Sequence, residues 1–305
     1  MLKKFKKFKS LISILIILTT ISAVVYYLIK HQTLLTDLRK ISPYLIIMIV
    51  LLYVLMLLIL ALIFKATIQL LDVKIRFKDN ILLNAYSIFM NFFVPGQTGP
   101  IYRGYYLKTK HKVKILDFTV ATAIYFAIYT IIAILCILFG SQSLILAFLF
   151  SVLFIFLAVL AVKIYLRKEQ AKLSINFKTI TTLSFITLAQ FLLQFLIYLA
   201  ELHSVDKTVT AKDALTYTGS AALTIFVALT PGAIGIREGF LILTNKLSHV
   251  SSSYIVLANI IDRSVYLIFL LMLGLLIITF HLNNKLKPEI KIKPSVKNQD
   301  RSIKS

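Results

Sequence analysis

The chain reads as an all-α polytopic membrane protein of two inverted repeats, each of three transmembrane helices plus a Pro-Gly-broken re-entrant hairpin. Three observations point there. Of 305 residues, 59% are hydrophobic and only 15% are charged, and apolar stretches of about 20 residues, the length that crosses a bilayer, recur throughout. Lys and Arg cluster in particular connections, which is how orientation is encoded. A Pro-Gly-x-x-Gly motif occurs twice, at Pro95-Gly96-Gln97-Thr98-Gly99 and at Pro231-Gly232-Ala233-Ile234-Gly235, each where an apolar stretch breaks off.

Five lysines (Lys3, Lys4, Lys6, Lys7 and Lys9) precede the first span, residues 10–29. No small-x-small cleavage site follows convincingly, so this span is expected to remain as an uncleaved anchor with its amino terminus inside. Further spans cover residues 43–64, 118–139, 144–162, 180–199 and 254–280, and two shorter apolar stretches, 81–94 and 214–229, end at the two motifs. Connections 65–80 and 163–178 are basic and fall inside, as does the tail from Lys285; connections 140–143 and 201–213 fall outside. Both flanks of the first broken stretch are basic, with Lys74, Arg76 and Lys78 before it and Lys108, Lys110, Lys112 and Lys114 after it. A full crossing would strand one cluster outside, whereas a hairpin dipping in from the cytoplasm keeps both inside. The second stretch, flanked only by Lys212 and Lys246, dips in from the outer side by the same reasoning.

Halves 10–139 and 144–280 then match in order. Pro95 and Pro231 lie 136 positions apart (231 less 95), and corresponding spans start 134 to 137 apart. The symmetry is not strict, since Arg103 and Arg237 differ in register by two residues. The membrane domain is residues 1–283, and the basic tail, 284–305, is expected to be disordered and to lie on anionic lipid.

Composition excludes several classes. A net charge of +22 would suggest nucleic acid in a soluble protein, but here Lys and Arg cluster in particular loops of a membrane chain, so no nucleic-acid partner is expected. The single cysteine, Cys136, rules out a disulfide framework and reads as a packed, inert thiol. Trp is absent, leaving interface anchoring to tyrosines near span ends such as Tyr26, Tyr27, Tyr44, Tyr165 and Tyr254. The five histidines are scattered in or beside loops without metal spacing, so no metal and no cofactor is expected. No Asp-x-Asp pair at a membrane face, Gly-x-Ser-x-Gly elbow or Gly-Lys-Ser/Thr phosphate loop is present, which removes metal-dependent glycosyl transfer, acyl hydrolysis and ATP-driven pumping.

What remains is the pair of breaks. Irregular backbone at membrane depth is tolerated only where it is buried in protein or lines a wet cavity, and broken segments at matching places in two halves mark a transporter's binding site. Pro95 and Pro231 break the helices there; Gly96, Gly99, Gly232 and Gly235 free backbone N–H groups at half-helix ends, which favour anions. The chain has 27 lysines and 7 arginines, yet the cations at the breaks and in the last span are Arg103, Arg237 and Arg263. Guanidinium grips phosphate bidentately and ammonium does not. The alternatives are interfacial arginines that snorkel to headgroups and, for Asp262-Arg263, an ion pair that only locks helices together. Glu238, beside Arg237, is either its counter-ion or a proton carrier. Asn259, Asp262 and Tyr266 form a polar stripe, as do Asn84, Ser87 and Asn91, then Ser220 and Thr224, then Gln190 and Gln194. Such stripes line a cavity or bond helix to helix.

Asn91-Phe-Phe-Val-Pro95-Gly96-x-x-Gly99-x-x-x-Arg103-Gly104, Thr230-Pro231-Gly232-x-x-Gly235-x-Arg237-Glu238 and Arg263 together resemble the lysylphosphatidylglycerol synthase transmembrane-region family, the flippase-like domain of the multiple peptide resistance factor. The resemblance spans about residues 10 to 280. It implies a membrane domain linked to translocating aminoacylated phosphatidylglycerol, and stand-alone members are thought to move polyprenyl-phosphate-linked or other anionic lipids. It also implies that Arg103, Arg237, Arg263, Asn91 and the motif glycines bind the headgroup, while Glu238 and Asp262 balance or relay charge. About 25 residues follow the last span, too few for the soluble aminoacyl-transfer domain, so lysyltransferase activity is not expected of this chain. Gln97 and Thr98 stand where small or basic residues are expected, which leaves headgroup preference open. The expected function is flipping of a phosphate-bearing lipid across the cytoplasmic membrane, both termini inside. The alternative is a membrane enzyme, or a non-catalytic subunit for a separate synthase or glycosyl transferase.

The topology is open to direct test. In a background without Cys136, single cysteines placed at 108–114 are expected to react only with reagents applied from the cytoplasmic side. Reaction from outside would replace the first hairpin with a full crossing.

Overall fold

Ser42 in extended conformation and Pro43 at the first helical position fix the start of the first described helix, because proline's missing N–H is no loss there. The computed structural model describes residues 42–93, 98–141, 176–227, 236–244 and 250–282, with residues 145, 148, 149, 152, 174 and 233. The helices are α1 (Pro43–Gln69), α2 (Phe77–Phe93), α3 (Thr98–His111), α4 (Ile115–Gly140), α5 (Phe177–Val205), α6 (Ala211–Leu223), α7 (Ile236–Thr244) and α8 (Ser252–Leu282). A 3₁₀ turn, Thr224–Val227, continues α6, and no strand occurs among the described residues.

Four of these, α1, α4, α5 and α8, are long and apolar enough to cross a membrane. Twenty-seven residues at 1.5 Å each make α1 about 40 Å long. Its two faces differ in what they meet rather than in polarity. Ile49, Tyr53, Leu57, Ala61, Phe64 and Ile68 are buried, while Ile47, Leu51, Leu55, Leu58 and Leu62 are exposed. The interior, by contrast, holds Asn80, Asn84, Ser87, Gln190, Glu201, Asn259 and Asp262. Apolar outside and polar inside is the arrangement that hydrocarbon demands, and the protein is a multi-pass membrane protein.

The two broken stretches are helix pairs that fold back on themselves. In α2–α3, Thr98 lies beside Met90, Gly99 beside Asn91 and Arg103 beside Asn84, an antiparallel order. In the second pair α7 packs against α6, and the capping box of Thr210 and Asp213 fixes where α6 begins. The breaks themselves are outside the described residues, including Pro95, Gly96, Pro231, Gly232 and Gly235, except for Ala233, whose φ of 57° lies in the left-handed region. The expected spans 10–29 and 144–162 and the tail also fall outside, apart from helical residues 145, 148, 149 and 152.

One sequence expectation is corrected. The outer connection was placed from residue 201, but α5 continues to Val205, with Leu202 fully buried. The apolar face carries the helix past the first charge, and Glu201 is inside the protein.

Helices α4 and α6 pack closely at Gly219. A methyl group at Gly219 would collide with the carbonyl oxygen of Ala133 and come within 2.7 Å of Ile137 Cγ1. Gly219→Ala is therefore expected to cost roughly 1–3 kcal/mol through overpacking against rigid backbone, outweighing the helix-propensity gain of about 1 kcal/mol. Gly239→Ala, with nothing within 4 Å, should be neutral or stabilising. The fraction surviving size-exclusion chromatography after heating reads both.

Candidate functional site

The first hairpin closes through Asn91, whose Oδ1 accepts the N–H of Gly99 at 2.7 Å, and through Thr98, whose hydroxyl donates to the Met90 carbonyl at 3.1 Å. A side chain at Gly99 would overlap Ser87 and lie 2.8 Å from Asn91 Oδ1. Gly99 thus permits close approach of α2 and α3, and its N–H is already occupied by Asn91.

That approach aims Arg103 inward. Its Nη1 donates to Asn84 Oδ1 at 3.2 Å, and its guanidinium lies over the Phe64 ring at 5.2 Å. Asn84 is oriented in turn by donating to Asn80 O at 2.9 Å and Oδ1 at 2.8 Å, and Asn80 donates to the Ala61 carbonyl of α1 at 2.6 Å. Arg103 therefore rests on a neutral amide relay. It pairs with no carboxylate among the described residues, and its Nε has no acceptor.

The other two arginines are paired across α7 and α8 in crossed fashion. Arg237 Nη1 meets Asp262 Oδ2 at 2.7 Å, and its Nη2 donates to the Tyr198 hydroxyl at 2.8 Å. The second oxygen of Asp262 accepts from Tyr53. Arg263 Nε faces Glu238 Oε1 at 3.8 Å, and Asn259 donates to that same oxygen. Neighbours in sequence are thus partners of the opposite helix: Glu238 serves Arg263 rather than Arg237, and Asp262 serves Arg237 rather than Arg263. Among the described residues, Arg237 Nε and two nitrogens of Arg263 have no acceptor.

Arg103, Arg237, Arg263, Asp262 and Asn91 all line one cavity of about 360 Å³. Asn84, Ser87, Thr224, Gln190 and Gln194 line it too, so those polar stripes face a cavity, and Tyr125 donates to Gln190 at 3.1 Å. Ser220 is buried away from it, and Glu238 supports the wall from behind Arg263. Sequence reasoning missed Tyr53 and Tyr198, which hold the Arg237–Asp262 pair, and Asn80. A signal was available for Tyr53, which lies deep within a span rather than at its end and so needs a hydrogen-bond partner; Tyr198, one residue from the end of its expected span, and Asn80, in an expected connection, carried none.

The family described as lysylphosphatidylglycerol synthase TM region matches residues 10–274. No curated protein and no solved structure matches the chain.

The crossed pairs set a measurable stability term. Asp262→Ala leaves Arg237 buried without its counter-charge and is expected to cost about 3–5 kcal/mol. Arg237→Met combined with Asp262→Leu should recover most of that loss, because an apolar pair leaves no unpaired charge. Melting of the purified single and double variants in detergent gives the comparison, and a single variant as stable as wild type would refute it.

Proposed function

The chain belongs to the lysylphosphatidylglycerol synthase transmembrane-region family, and on that premise we propose that it moves a phosphate-bearing lipid across the membrane, seating the headgroup among Arg103, Arg237 and Arg263. One observation carries this reading: three arginines from three separate helices turn toward a single cavity, and each keeps at least one N–H without an acceptor. Buried arginine donors in a dry protein are costly unless an anion completes them. At Arg103 a phosphate oxygen needs to displace only a neutral amide, and the charge-assisted bond it forms is stronger than the one lost. Arg237 becomes available when it exchanges Asp262 for phosphate.

The cavity, about 360 Å³, falls within the range of about 300–1,000 Å³ common for small-ligand sites. It suits a headgroup and not the chains behind it. Met56, Leu60, Ile63 and Phe126 form apolar parts of its wall, compatible with chains that stay in lipid while the phosphate crosses. Alternating access between the two halves, in the cytoplasmic membrane with both termini inside, completes the proposal. The proposed activity is transport rather than lysyl transfer, in keeping with a family match to the membrane region of the synthase.

Purified protein in vesicles carrying fluorescent phospholipid or polyprenyl-phosphate probes provides the test. Arg103→Lys, Arg237→Lys and Arg263→Lys should each reach the membrane yet lower translocation at least about tenfold, since one charge-assisted hydrogen bond is worth about 1.5–3 kcal/mol. Lys108→Gln and Lys110→Gln should have little effect. Full transport by the three Arg→Lys variants at normal expression would sink the phosphate-clamp reading.

A further inference from the structure

Glu201 is fully buried on α5, and neither of its side-chain oxygens meets a hydrogen-bond donor among the described residues. A bare carboxylate in that position would lose its hydration and gain nothing in return, a cost that a protein avoids by keeping the group protonated. The charged and titratable groups acting on Glu201 are Asp262 of α8 and Arg237 of α7, with Tyr53 of α1, Tyr198 of α5 itself and Tyr217 of α6. The Tyr217 hydroxyl is likewise without a partner. Helix α4 meets α5 further along, where Tyr125 bonds Gln190, and brings no charge to Glu201.

Position adds a second constraint. Glu201 lies four residues, about 6 Å, before the end of α5 at Val205, whereas Asp262 lies ten residues, about 15 Å, from the start of α8. Tyr198, one turn before Glu201 on α5, accepts a hydrogen bond from Arg237, so the exposed face at the end of α5, where Lys207 and Thr208 lie, is nearer to Glu201 than to that arginine. Glu201 therefore stands between that face and the Arg237–Asp262 pair.

We propose that Glu201 is a proton-binding site that protonates Asp262 when Arg237 turns to a lipid phosphate, so that each headgroup charge is carried with one proton. The inference rests on the phosphate-lipid reading above. With Arg237 on Asp262, the two carboxyl groups hold one proton, on Glu201, and the group of three is neutral. When phosphate takes Arg237, Asp262 is left as a buried unpaired anion. The O–H bond at Glu201 breaks, one forms at Asp262, and Glu201 takes a replacement proton from water at the face formed by residues 206–210. The set is again neutral, with phosphate on Arg237 and a proton on each carboxyl. When the phosphate leaves on the other side, the O–H bond at Asp262 breaks, its proton passes to water there and Arg237 returns to Asp262. Each cycle therefore carries one phosphate charge with one proton, moves no net charge and is driven by a pH difference alone.

Two measurements test this. In purified protein at neutral pH, the infrared C=O stretch of a buried protonated carboxyl should be present in wild type and missing in Glu201→Gln, which mimics the neutral acid and should fold normally. Absence of that band from wild type overturns the proposal. In vesicles with a fluorescent anionic phospholipid, one pH unit across the membrane should shift the lipid distribution about tenfold toward the alkaline side. Glu201→Gln should remove that response. Translocation that ignores the gradient overturns the proton site and leaves the phosphate clamp standing. No translocation of any anionic probe, with or without a gradient, overturns both.

Discussion

Buried cations in an apolar medium must be answered by something, and most of this structure follows from how that is done. Arg237 and Arg263 are met by carboxylates, Asp262 and Glu238, from each other's helices. Because the partners cross, α7 and α8 cannot slide or rotate independently without breaking both pairs. A nine-residue helix such as α7 is too short to hold its place by propensity. Its position is fixed by these pairs and by Tyr198, which also supplies a ring face to Arg237 at 5.3 Å. The tyrosines are then part of the electrostatics: Tyr53 and Tyr198 lie on α1 and α5, so the α7–α8 pair is tied to two further helices.

Arg103 is handled differently, and the contrast organises the cavity. Among the described residues it has no carboxylate, only the amide chain from Asn84 through Asn80 to the α1 backbone. An amide orients a guanidinium without neutralising it, so one side of the cavity keeps a net positive field while the other is balanced. In the proposed transport an anion is therefore drawn first toward the α2–α3 hairpin, and exchange with Asp262 comes second. The two hairpins resemble each other in sequence but differ in charge balance, and a site with one open and one compensated arginine cluster can pass an anion from one to the other.

Much of this was legible in the sequence. The four long helices start within three residues of the expected spans, because runs of Leu, Ile and Phe have no other solvent. The two breaks were marked by Pro-Gly, and the arginines beside them line one cavity; their choice in a chain of 27 lysines is what singled them out, because guanidinium and ammonium differ in geometry. Pairing was not legible. Arg237 next to Glu238, and Asp262 next to Arg263, suggested local partners, yet residues adjacent on a helix point about 100° apart and do not face each other. The end of α5 was also misplaced, because a charge was taken as the edge of the membrane when the helix had an interior to carry it into.

Glu201 shows why that last error matters. A carboxyl at a span end is ordinary when it snorkels to water, and sequence cannot tell that case from one facing inward. What separates them is the opposite side of the helix. Along α5, Phe185, Leu188, Leu192 and Leu196 are exposed, which makes that face the lipid side, and Glu201 lies off it, toward α1, α6 and α8. Once the lipid face is known, the acid has nowhere to go but inward, and the aromatic hydroxyls of Tyr53, Tyr198 and Tyr217 gather around it. In the proposed cycle Arg237 is the cation that moves in step with Glu201, and it is also the residue that releases Asp262 to meet the anion. In that cycle lipid charge and proton are linked because one guanidinium serves both.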